Sequence, residues 1–231
     1  MQDRKFISFY YETTKEFKPI TIERKSTMLC VVDMQNEFVL RDFGESLLFK
    51  QMGEWERWIP MHDRLDDIVI PNTQKLLAAF RGNGMHVSYG KIACQLESGD
   101  DRSPVQKSEG WNGMLLPEGS FAAEIIEPLK PQKNELVVIK TTDSVTTGTN
   151  YLQLLRFMGI KTVVVTGIVT DQCVASTVRG LADDGLQVIV IEDACAAGDI
   201  ELHNAELKIM NKIYCEVMST QGFLQLLESS K

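Results

Sequence analysis

Between Lys161 and Asp184 the chain reads KTVVVTGIVTDQCVASTVRGLADD, a strand, a turn and a helix in direct succession. Thr162 to Thr166 is a β-branched run without polar alternation, the pattern of a strand buried on both faces in a helix-covered parallel sheet. Gly167 to Gln172 turns the chain. From Cys173 onward Val174, Val178, Leu181 and Ala182 recur at helical spacing, with Ala175 beside them, until Gly185 stops the helix. Cys173 therefore falls in the first turn of a helix, at the carboxyl end of a strand. Free backbone N–H groups and the positive end of the helix dipole favour a thiolate there. The same position also suits a small core cysteine.

Two further apolar runs end in polar residues. Thr27 to Val32 delivers Asp33, and Glu135 to Ile139 delivers Lys140. Taken singly, Asp33 reads as a turn cap and Lys140 as the point where a strand meets water. In a parallel sheet, however, the carboxyl ends of the strands share one edge, where ligands bind. Asp33, Lys140 and Cys173 are thus candidates for one catalytic site. Met85–Gly90, Gln187–Glu192 and Cys215–Met218 supply three more strands. Helical spacing predicts helices over Arg64–Arg81, with Pro71 placing the start near Ile70, and over Asn150–Met158, Ile200–Lys212 and Thr220–Leu227. Strands separated mostly by helices define an α/β fold, a three-layer α/β/α sandwich around a mainly parallel six-stranded sheet.

At 231 residues the chain suits one such domain, taken as 26–231, preceded by an arm over 1–25. Phe6, Phe9, Tyr10, Tyr11 and Phe17 in the arm suggest packing on the body or on a neighbouring subunit, although a solvated tail is equally compatible. A net charge of −8 disfavours nucleic acid and anionic membranes as partners. No run is long and apolar enough to span a membrane, and no signal-peptide core follows the first residues. Five cysteines without a disulfide-like pattern suit a reducing cytoplasm. The long connection from Glu37 to His62 leaves the catalytic edge and reads as a lid or pocket wall, or else as a packed insertion or subunit contact. His62, His86 and His203 lack metal-ligand spacing, and no dinucleotide fingerprint follows a strand, so neither metal nor cofactor is expected.

Three ordered pieces resemble the isochorismatase-like cysteine hydrolases, a superfamily that includes nicotinamidases, N-carbamoylsarcosine amidases, and ureidoacrylate and biuret hydrolases. They are Val32–Phe38, then Lys140 with Ser144 and Thr149, then Thr166–Val174 with Ser176 and Thr177. The resemblance covers about Thr27 to Thr220 and implies strand order 3-2-1-4-5-6. It makes Asp33 the base, Cys173 the nucleophile and Lys140 their cationic partner. It also implies a cis peptide between Ile168 and Val169, with an oxyanion hole from the backbone N–H groups of Val169 and Cys173. Asn36, Phe38 and Gln172 in the motifs, and Trp111 and Thr146 in the loops, are candidate substrate contacts. Thr146 stands where members commonly carry phenylalanine. The function implied is metal-independent hydrolysis of a small amide or ureido compound through a covalent cysteine intermediate, in a homodimer or homotetramer. A nicotinamidase-like or lactam hydrolase is the alternative, and a binding or scaffold protein on the same fold is the reading outside catalysis. True isochorismatase is disfavoured, because vinyl-ether hydrolysis needs no thiol.

Overall fold

A computed structural model describes residues 5–108, 110 and 113–230. Six strands form one sheet: β1 (Thr27–Val32), β2 (His86–Ile92), β3 (Leu136–Lys140), β4 (Thr162–Ile168), β5 (Gln187–Ala196) and β6 (Glu216–Met218). Their spatial order is β3-β2-β1-β4-β5-β6, and every pairing is parallel. Order reverses between β1 and β4, which places a switch point at their carboxyl ends. The helices are α1 (Asn36–Val39), α2 (Glu45–Gln51), α3 (Trp55–Arg64), α4 (Ile70–Gly82), α5 (Pro104–Lys107), α6 (Tyr151–Phe157), α7 (Ala175–Asp183), α8 (Ile200–Met210) and α9 (Thr220–Ser229).

The central strands are apolar throughout because both of their faces are covered. Along β1, Met28, Cys30 and Val32 face one core, while Leu29 and Val31 face the other. In β4, Val163 and Val165 share the first core and Val164 and Ile168 the second. On the first face Tyr151 and Leu155 of α6, Val178 and Leu181 of α7, and Leu207 and Met210 of α8 close the layer. Leu76, Leu77 and Phe80 of α4, with Phe223 and Leu227 of α9, close the second. Two cores on opposite sides of one sheet make the three-layer sandwich that the strand pattern predicts.

The stretch from Glu37 to His62 carries helical structure of its own. It folds into α1, α2 and most of α3, and α3 continues through a π turn at Leu65–Val69 into α4. The shortness of α1 and α2, four and seven residues, and Pro60 within α3 hide this in the sequence. Phe49 and Trp58 stack with ring centroids 4.3 Å apart, tying α2 to α3. In the N-terminal segment Phe6 joins the first core and its carbonyl accepts from Asn211 Nδ2 at 2.9 Å, whereas Phe9 and Tyr10 are exposed. The 93–135 crossover carries, among its described residues, only α5 and a 3-10 turn at Glu127–Leu129.

One glycine fixes how closely the two switch strands approach. Gly167, near the end of β4, has φ of +115°, and a Cβ there would lie 2.0 Å from the Val32 carbonyl oxygen. No side chain fits between these backbones, and few L-residues adopt that φ. Gly167→Ala is expected to cost about 2–3 kcal/mol, combining overpacking with a disfavoured backbone. Urea denaturation measures this; an unchanged midpoint would refute the close-packing explanation.

Candidate active site

Asp33 follows β1 directly. Its backbone N–H donates to the Gly90 carbonyl at 2.9 Å, and its φ of 51° lies in the left-handed region that Asp tolerates better than most residues. That conformation leaves the side chain 2% exposed at the switch edge. Lys140 ends β3 and is 1% exposed. Its Nζ donates to Asp33 Oδ2 at 2.7 Å, to the Thr142 carbonyl at 3.1 Å and to Cys173 Sγ at 3.5 Å. Cys173 sits in a π turn, Thr170–Val174, between β4 and α7. In that widened turn the Val174 N–H donates to Val169 O at 3.2 Å, five residues back. The peptide bond between Ile168 and Val169 is cis. The three polar residues delivered by separate strands thus meet in one cluster.

Burial dominates the electrostatics. It pushes the Asp33 carboxyl up, against the pull of Lys140. It also works against the Lys140 ammonium, but Asp33 and Cys173 more than offset it and hold that group above its ordinary value. Burial and then the Asp33 charge raise the Cys173 thiol well above its ordinary value, with Lys140 opposing. The helix start by itself favours a thiolate; here burial and the nearby carboxylates outweigh it, and the resting thiol keeps its proton. Cys30 and Cys195, fully buried in the core, are likewise pushed up, to about 11 and about 12, chiefly by burial. Lys140 holds only one carboxylate oxygen of Asp33. The other, Oδ1, is buried and accepts no hydrogen bond from any described residue.

A cavity of about 30 Å³ opens onto Asp33 and Cys173. Phe38, Gln172 and Val169 line it. Met114 and Ile92 add apolar wall, and Glu45 and Asp143 add two carboxyl groups. The Cys173 thiol lies 4.0 Å from Asp143 Oδ1. These four lining residues are absent from the sequence reading. Asp143, three residues beyond Lys140, is the one whose position signals a role; Glu45 lies in a segment whose helices are illegible in the sequence.

Asn36 is turned to a structural task, its Nδ2 donating to the Phe121 carbonyl at 2.7 Å. Beside it, fully buried Gln35 donates to the carbonyls of Ile92 and Ala123 at 2.8 and 3.0 Å and accepts from the Ile92 N–H at 2.8 Å. This amide clamps the exit of β1 to the end of β2 and to the long crossover. Thr146 does not line the cavity: its hydroxyl pairs with Ser144 Oγ at 2.7 Å and packs against α7, where a Cβ on Gly180 would lie 2.2 Å from it. A phenylalanine would not fit against that helix as it stands. Trp111 lies outside the described residues. No group of three or more His, Cys, Asp or Glu side chains is arranged to hold a metal ion among the described residues.

Behind the nucleophile turn, Thr170 Oγ1 meets His203 Nδ1 at 2.8 Å, and Arg64 Nη2 meets His203 Nε2 at 3.1 Å. A guanidinium only donates, so Nε2 is the acceptor, and Nδ1 carries the proton that His203 donates to Thr170. Arg64 also donates to the carbonyls of Cys195 and Glu192 at 3.0 and 2.9 Å, anchoring the pair to β5.

The Isochorismatase domain model matches residues 27–222 of this chain. The chain therefore belongs to the isochorismatase family, and it is a hydrolase of that family. It is similar to the ureidoacrylate amidohydrolase RutB of Acinetobacter baylyi, with 27% identity over 94% of this chain and 89% of that protein. The RutB protein of Variovorax paradoxus is 30% identical over 77% of this chain and 71% of its own length. Among solved structures, a cysteine hydrolase from Pseudomonas syringae pv. phaseolicola superposes with a TM-score of 0.77 at 23% identity, covering 94% of this chain and all of that one (100%). N-carbamoylsarcosine amidase from Thermoplasma acidophilum gives a TM-score of 0.63 at 25% identity, covering 84% of this chain and 96% of that one.

His203 makes a prediction about acid stability. Burial, and then the Arg64 and Lys5 charges, push its imidazole down to about 3. A folded-state value below the unfolded value of about 6.5 means that the stability from neutral His203 is fully present above that pH. It is lost progressively as pH falls towards the folded value. Between about pH 7 and pH 4.5 the melting temperature of the native protein should therefore fall more steeply than that of His203→Asn. Parallel curves would remove His203 from the account.

Proposed function

We propose that the protein is a cysteine amidohydrolase that cleaves a C–N bond of a small amide or ureido compound, without a metal ion. One observation carries the reading: Lys140 occupies one oxygen of buried Asp33 and leaves the other without a hydrogen bond, beside the Cys173 thiol. An acceptor so placed is suited to take the thiol proton. As the substrate carbonyl settles over Cys173, Asp33 Oδ1 accepts the proton and the sulfur attacks carbon, forming the C–S bond. Lys140, still cationic, balances the charge that builds on sulfur and keeps Asp33 oriented. Backbone N–H groups of Val169 and Cys173 serve as donors to the tetrahedral oxyanion. Asp33 then gives its proton to the departing nitrogen, the C–N bond breaks, and a thioester or thiocarbamate remains. Water, deprotonated by Asp33, attacks this intermediate and restores the thiol. The names of the curated relatives and of the carbamoylsarcosine amidase support a C–N substrate of this size. Phe38 and Gln172 serve as substrate contacts in this reading because they line the cavity.

Replacing Asp33 by Asn, Lys140 by Met or Cys173 by Ala should each lower kcat/KM by about 10³-fold or more, because the three act as a unit. Ammonia release should persist after exhaustive chelation. Because the Asp33 carboxyl is raised and must be ionised to take the thiol proton, kcat/KM should climb with pH through a midpoint above the ordinary carboxylate value of about 4. Full turnover by Cys173→Ala, or turnover abolished by a chelator, would defeat this mechanism.

The same reading takes the protein as a cytoplasmic homodimer or homotetramer with residues 1–25 as an arm. Exposed Phe9 and Tyr10, with exposed Phe157 and Ile213 on the body, support burial against another subunit. Light scattering at micromolar concentration should give a multiple of the chain mass; a monomer mass would count against the assembly.

A further inference from the structure

The proposed chemistry leaves open which amides enter, and the charges around the cavity bear on that choice. Beyond the Asp33–Lys140 pair, the acidic or basic side chains lining it among the described residues are both carboxyls, Asp143 and Glu45. No lysine, arginine or histidine lines it among those residues, and Lys140 directs its ammonium to Asp33, Thr142 and Cys173. A substrate carboxylate would find no cation to receive it and would lie against Asp143, whose Oδ1 is 4.0 Å from the reacting sulfur. Ureidoacrylate and N-carbamoylsarcosine, named for two of the similar proteins, both carry such a group.

Glu45 adds a second constraint. It lies in the first turn of α2 and lines both the catalytic cavity and an adjoining recess of about 20 Å³ walled by Phe49, Trp58, Met61 and His62, whose imidazole burial holds below its ordinary value. Burial and the neighbouring Glu37 push its carboxyl up to about 8. A neutral acid at the mouth of this largely apolar recess donates to a carbonyl and accepts from an N–H, the complement of an amide or urea. With about 30 Å³ in the catalytic cavity itself, only a group of a few atoms fits beside the thiol.

Resting on the cysteine-hydrolase reading, we propose that the substrates are small uncharged ureido or amide compounds bearing N–H donors. Asp143 and Glu45 read those donors, and Asp143 turns away carboxylate-bearing analogues.

Two thiol reagents of nearly equal size test the selectivity directly. Iodoacetamide is a neutral amide and iodoacetate its anionic counterpart; each forms an S–C bond with expulsion of iodide. Peptide mapping of the full chain should give an iodoacetamide-to-iodoacetate rate ratio at Cys173 at least about 30-fold above that of a free cysteine peptide. Asp143→Asn, alone and combined with Glu45→Gln and checked for folding by circular dichroism, should bring the ratio down by about 10-fold or more, whereas Glu45→Gln alone exchanges one neutral group for another and should leave it nearly unchanged. In turnover, acetylurea and biuret should exceed malonuric acid and ureidoacrylate in kcat/KM, with the gap narrowing in Asp143→Asn through the KM of the acids. Iodoacetate labelling Cys173 as readily as iodoacetamide would overturn the proposal, as would a ratio unmoved by every variant. Hydrolysis surviving in Cys173→Ala would instead strike the parent reading, whichever reagent the thiol prefers.

Discussion

The buried ion pair between Asp33 and Lys140 is the constraint on which the rest depends. Two charges 2.7 Å apart, both nearly sealed from water, would be costly to bury if either lacked its partner. Each is held in place by the end of a different strand, and β2 lies between those strands. The ammonium gains further support from the Thr142 carbonyl and the Cys173 sulfur, so its three donors have three acceptors. The carboxylate is treated unequally, one oxygen held and the other left without a hydrogen bond. That imbalance sets the direction in which a proton can move.

The fold was largely legible from the sequence, because buried parallel strands announce themselves as unbroken β-branched runs. Thr162–Thr166 and Thr27–Val32 did so, and the carboxyl-edge rule then brought Asp33, Lys140 and Cys173 together without any contact being known. What remained hidden has a physical cause. Helices α1 and α2 are only four and seven residues long, and α3 carries Pro60 in its interior. A periodicity argument needs two or three turns to work on, which α1 and α2 do not offer, and Glu45 at the start of α2 went unseen with them. Asn36 failed differently: motif position suggested a substrate contact, while the local need was a donor for the Phe121 carbonyl. The state of the Cys173 thiol was also out of reach, since a helix start is visible in sequence and the degree of enclosure is not.

Family membership and local chemistry answer different questions here. The family model extends across both cores and all three polar residues. The walls come from the segments between the strands: Phe38 and Glu45 before α3, Met114 from the long crossover, Asp143 from the turn after β3. Gln35 joins this wall to the sheet. Its three hydrogen bonds link the crossover to the first strand's exit, so a change in the crossover can reshape the cavity while that anchor is retained.

The placement of Lys140 on β3 has a bearing on how the chain reaches its native state. Its contacts to Asp33 and Cys173 join residues 107 and 33 positions apart in the sequence. Strand β3 is an edge, bonded only to β2, and such a non-local parallel pairing requires the closure of long loops before it gains any contact energy. The apolar centre of the sheet can therefore collapse while the reactive cluster is still in pieces. Completion of the cluster marks one of the last long-range closures, and recovery of catalysis during refolding would lag behind recovery of helical signal.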